Sequence, residues 1–81
     1  MNEITFELKD EFIELIRLLK ATRIAQSGAE AKIFVEEGLV QLNGQPESRK
    51  RAKIRPGDIV TVDGNTIMVK QGNQDSNESA G

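Results

Sequence analysis

The stretch 27–57, SGAEAKIFVEEGLVQLNGQPESRKRAKIRPG, constrains this chain more than any other. Ser27 and Glu30 have the spacing of a capping box, in which the hydroxyl accepts the amide of the third helical residue and the carboxylate reaches back. Ala31, Phe34 and Val35 follow at helical spacing, with Ile33 beside them. Gly38 supplies the left-handed residue that commonly closes a helix. Val40 and Leu42 then alternate as a strand. Asn43-Gly44 is a strong hairpin signal, because a two-residue type I′ turn needs positive φ at both positions. A capped helix, a sharp stop and a hairpin are thus written into consecutive residues.

On the N-terminal side, Ile4, Phe6 and Leu8 alternate with Thr5 and Glu7, the period of a strand with one apolar face. Asp10 offers an N-cap, with Glu11 and Glu14 in the first turn where the helix dipole favours them. Phe12, Ile13, Leu15, Ile16, Leu18 and Leu19 cover a broad face, which predicts a first helix over about 11–20. Residues 21–26 form a short connector. After the hairpin, Pro46 cannot donate to a sheet ladder, so 45–51 is expected as an irregular or edge segment. Arg55-Pro56-Gly57-Asp58 has type II turn chemistry. Strands follow at Ile59 to Val62 and at Ile67 to Val69, separated by a tight turn at Asp63-Gly64-Asn65. The order is that of an α+β domain with two helices packed on a small, mostly antiparallel sheet. It occupies 1–70, and 71–81 reads as a disordered polar tail.

A chain of 81 residues has room for one small domain, which buries only about 60% of its unfolded surface. With neither Cys nor His it has no disulfide, no thiolate metal site and no imidazole base. No Ser has a His partner, and no Gly-rich loop leads into Lys-Ser or Lys-Thr, so the chain is expected not to be an enzyme and to need no cofactor. The N-terminus lacks the basic and apolar regions of a signal peptide, and no apolar run is long enough to span a bilayer. A cytoplasmic protein with no membrane partner is the expectation. Trp and Tyr are absent, so any base stacking would fall to Phe6, Phe12 or Phe34, all expected to be buried.

The chain's formal net charge is −2, yet Arg49, Lys50, Arg51, Lys53 and Arg55 place five of its 11 Lys+Arg within seven residues. An edge strand can use charge to block aggregation, but one or two lysines suffice for that. Only Glu47 lies nearby in sequence to offset the repulsion. Arginine also offers a planar fork suited to phosphate. The run therefore reads as an anion-binding surface. The start of the second helix adds free amides and a positive dipole end. There Gly28 has no side chain to hold a phosphate away, and Lys32 lies one turn on. Arg23 in the connector extends the basic strip.

Taken together, Ser27-x-x-Glu30-Ala31-Lys32, Gly38-x-Val40-x-Leu42-Asn43-Gly44 and Gly57-Asp58-x-Val60 resemble the S4-type RNA-binding domain, over about 12–69. The similarity is nearer to its short, free-standing bacterial members, the YbcJ-like and YaaA-like proteins, where Ser-Gly replaces the usual Ser-Arg. Gly28 and Lys32 both stand where the wider family has arginine, so more weight falls on the basic run. The resemblance implies an alpha-L motif, and RNA binding in translation, ribosome assembly or RNA modification. The candidate RNA-binding residues are Arg23, Ser27, Gly28, Lys32, Asn43, Arg49, Lys50, Arg51, Lys53 and Arg55. The expected partner is structured RNA, ribosomal or tRNA-like, bound by a monomer through phosphate contacts. The competing expectation is a protein-docking module, with a ribosomal protein as a possible partner.

Overall fold

The computed structural model describes residues 2–72. Two helices lie against one face of a five-stranded sheet whose order is β1-β7-β6-β3-β4. Strand β1, Asn2–Leu8, pairs in parallel with β7, Asn65–Gln71, while β3, Val40–Leu42, β4, Gln45–Pro46, and β6, Ile59–Val62, complete the sheet by antiparallel pairing. The expected α+β architecture is therefore found. Pro46 sits in the edge strand β4, where its missing N–H breaks no ladder.

The second helix, α2, spans Gly28–Glu36. Ser27 Oγ accepts the Glu30 amide at 3.1 Å. The Glu30 carboxylate returns to the Gln26 amide at 2.7 Å, one residue earlier than the usual box. At the other end Gly38 has φ 76. Its amide reaches the Val35 carbonyl, and that of Leu39 the Phe34 carbonyl, which is a Schellman closure. Asn43-Gly44 and Asp63-Gly64 both have the paired positive φ of type I′ hairpins. Gly57, at φ 98, completes the type II turn with Asp58 N donating to Arg55 O.

The first helix departs from expectation. This helix, α1, spans only Leu15–Ala21, and Asp10 does not cap it: the N-cap is Glu14, whose side chain makes no capping bond, and no acidic residue lies in the first turn. Ile13–Glu14 instead form β2, paired antiparallel with β5, Lys53–Ile54. Backbone carbonyls do the capping, with Leu15 N donating to Ala52 O at 2.9 Å and Ile16 N to Lys50 O at 3.3 Å. A pairing between segments so distant in sequence satisfies the helix end, so no local cap was required.

Leu15, Leu18 and Leu19 of α1, Ala31 and Val35 of α2, and Val40, Val60, Val62, Ile67 and Val69 of the sheet form one buried cluster, joined by Ala52 and Ile54 from the basic segment. The last strand runs through Gln71, and the buried Gly72 donates its amide to Leu8 O at 2.7 Å. The rest of the expected tail, 73–81, lies outside the described residues.

Candidate nucleic-acid interface

The basic segment is held from within. Ala52 and Ile54 are buried, while Arg51, Lys53 and Arg55 are exposed on either side of them. This is the alternation of a strand, and it turns the charged side chains outward together. Arg49, Arg51, Lys53 and Arg55 line a single depression of about 420 Å³, floored by Ala52. The side chains of Arg49 and Arg51 are 78% and 82% exposed, so a ligand can reach them.

Glu47 is not the only acid that offsets this charge. Arg49 Nε bonds Glu47 Oε2 at 3.1 Å, as the sequence suggested. Lys50 Nζ, however, reaches Glu36 Oε2 on α2 at 2.8 Å, and Arg51 Nη2 reaches Glu14 Oε2 on β2 at 3.3 Å. The hydrogen bond and charge of Lys50, with help from Lys32, hold the Glu36 carboxyl below its ordinary 4.5. Bonds from the Arg49 side chain and amide lower that of Glu47 in the same way. Both carboxylates are thus ionised throughout the neutral range.

Lys50 therefore sits apart from the depression, on the Glu36 strip of α2. Lys32 shares that strip one turn earlier, so the two lysines flank one carboxylate. Gly28 opens α2, and a Cβ added there would meet nothing within 4 Å, so the space before the helix end is open. Ser27 is engaged as the N-cap. Arg23 has φ 65 at the end of α1 and lines a separate depression of about 320 Å³ with Lys20, Ala25 and Gln26. Lys20 is thus a neighbouring cation that the sequence reading passed over, although its helical spacing from Arg23 was visible.

Asn43 takes a structural part. Its Oδ1 accepts the Ile59 amide at 2.9 Å and its Nδ2 donates to Asp58 Oδ1 at 3.2 Å. The other Asp58 oxygen accepts the Arg55 amide at 2.8 Å. Asn43 thereby clasps the hairpin to the turn that presents Arg55. The three phenylalanines are half-buried rather than fully buried. Phe12 also carries the Lys53 ammonium 5.0 Å from its ring centroid.

Known proteins share this sequence pattern and fold. A family model described as the S4 domain matches residues 6–70. YbcJ of Escherichia coli (strain K12) is 44% identical over 66 residues, covering 80% of this chain and 94% of its own. The Bacillus subtilis (strain 168) protein designated "Probable ribosome maturation protein RlbA" is 39% identical over 54 residues, covering 67% of this chain and 76% of its own. The solution structure of Escherichia coli YbcJ, described as revealing an alpha-L motif involved in RNA binding, superposes with a TM-score of 0.68 at 42% identity, over 86% of this chain and 90% of that one. With family pattern, relatives and fold in agreement over most of its length, the chain belongs to the S4 domain family.

Proposed function

We propose that this chain is a non-catalytic, cytoplasmic, monomeric RNA-binding protein that recognises structured RNA, ribosomal or tRNA-like, through its phosphates. The observation that carries the reading is the depression lined by Arg49, Arg51, Lys53 and Arg55, four cations turned outward together by the inward anchoring of Ala52 and Ile54. Lys50 and Lys32 on the Glu36 strip, with the open end of α2 at Gly28, extend the positive surface as a second pole. A-form RNA keeps its base edges in a deep, narrow groove, so a surface of this kind reads backbone geometry more than sequence. The RNA-binding description of YbcJ and the ribosome-maturation name of RlbA support the same direction.

The test is to replace Arg49, Arg51, Lys53 and Arg55 together by Gln and titrate structured RNA across a salt series. With about four phosphates engaged, the wild-type slope of log affinity against log salt is about −3. Going from about 50 to about 200 mM salt then weakens wild-type binding about 60-fold, and the variant far less. The fold should survive, because Arg49 and Arg51 are largely open to water and the ion pairs lost with them contribute little to stability. Lys9→Gln with Lys70→Gln is the control outside the segment. A quadruple variant that binds like wild type at every salt refutes the reading and puts protein docking first.

A further inference from the structure

Phe6 and Phe34 pack against the buried core, whereas Phe12 is not among the side chains packed there. It lines a separate concavity of about 580 Å³ with Asp10, Glu11, Ile13, Glu14 and Arg17. Two contacts join this concavity to the basic depression. Lys53, which lines the depression, stands 5.0 Å from the Phe12 centroid. Arg51, which also lines it, pairs with Glu14. A half-buried aromatic ring, lining a concavity and overlaid by Lys53, thus lies one side chain away from the proposed phosphate sites.

We infer that Phe12 is a stacking platform for one unpaired nucleobase of the bound RNA, with the adjoining phosphates held by Arg51 and Lys53. The inference rests on the RNA reading above and narrows its ligand to structured RNA interrupted by an unpaired nucleotide. The polarity of the two concavities supports the division of labour. Asp10, Glu11 and Glu14 outnumber Arg17 in the lining and disfavour a phosphodiester backbone in the Phe12 concavity, whereas a neutral base can enter it. The cations next door hold the flanking phosphates. Lys53 covers the ring in the free protein and exchanges that contact for a phosphate when the base arrives. Stacking on an aromatic ring is tolerant of base identity, because every base has a π face.

The experiment compares a blunt two-strand RNA duplex with the same duplex carrying a one-nucleotide bulge, using labelled RNA and the full chain. Wild type is expected to bind the bulged RNA tighter by about fivefold or more, the usual size of a base–aromatic contact. Phe12→Leu should remove that preference and leave duplex binding nearly unchanged. Equal wild-type affinity for both RNAs, or an equal loss on both in the variant, overturns the inference while leaving the phosphate reading standing. Failure of wild type to bind either RNA overturns both. Should Phe12→Leu not fold, Phe12→Trp gives an independent readout, because the chain has no other Trp. Quenching of its emission by the bulged RNA and not by the plain duplex supports stacking. Unchanged emission on binding, or the same change with both RNAs, refutes it.

Discussion

Asn43→Ala should destabilise the fold by about 2 kcal/mol and leave the RNA affinity of the folded protein nearly unchanged. The bond from Ile59 N to Asn43 Oδ1, 2.9 Å long, accounts for about 1 kcal/mol of this. The exposed contact from Nδ2 to Asp58 at 3.2 Å adds little. The backbone supplies the rest. Asn43 has φ 52, a left-handed conformation that costs a residue with a Cβ about 1 kcal/mol or more, and that Asn tolerates through local hydrogen bonding. A glycine at this position would lose the bond but not suffer the strain, so Asn43→Gly should cost about half as much. In a domain of this size each kcal/mol moves the thermal midpoint by about 4–8 °C, so Ala should lower it by about 8–16 °C. Circular dichroism melts of the three proteins, with RNA titrations below their midpoints, make the comparison. An unchanged midpoint with a large loss of RNA binding would refute the clasp and make Asn43 a direct contact, as its place in the sequence pattern suggests.

Ser27→Ala should cost about 1 kcal/mol, since it removes the acceptor of the Glu30 amide at the start of α2, and a denaturant midpoint equal to wild type would contradict this. The carboxyls of Glu36 and Glu47 are both lowered in the folded state, so their contribution is fully present above the unfolded value near 4.5 and is lost as pH falls through the lower folded values. Glu36→Gln with Glu47→Gln should therefore flatten the fall of the thermal midpoint in acid, by a small amount because the Lys50–Glu36 pair is exposed and Arg49 faces water, although the Glu47 side chain is largely covered. An acid limb as steep as wild type would show that these pairs do not form.

The features that were legible in the sequence are those set by neighbouring residues. Ser27, Glu30 and Gly38 bound α2, and Asn43-Gly44 and Asp63-Gly64 make tight reversals, because each is a decision taken within a turn or two. The first helix was drawn too long because Ile13 and Glu14 carry apolar and acidic signals suited to a helix, yet they pair with Ile54 and Lys53 across the fold. No local signal encodes that partner. The parallel pairing of β1 with β7 is of the same kind. Glu14 and Glu36 were missed as partners of Arg51 and Lys50 for the same reason. The alternation of Ala52 and Ile54 with Arg51, Lys53 and Arg55 was present in the sequence, but dense charge obscured its period.

The way the basic segment is held explains how it can stay charged and still be useful. Five cations within seven residues repel one another, and a flexible loop would spread them apart. Here Ile54 and Ala52 are buried, and the carbonyls of Lys50 and Ala52 are bonded to the start of α1, so the backbone is fixed by core contacts rather than by its charges. Glu47, Glu36 and Glu14 then relieve the repulsion from outside. With each cation open to water, such a pair is worth only about 0–1 kcal/mol, so on the proposed reading a phosphate can take the place of a carboxylate at little cost. Because the backbone does not depend on these pairs, such an exchange would leave the path of the segment unchanged. On the proposed reading, a surface whose backbone is fixed by apolar residues and whose charges have weak, replaceable partners needs only its side chains ordered on binding, at about 0.5–1.5 kcal/mol each.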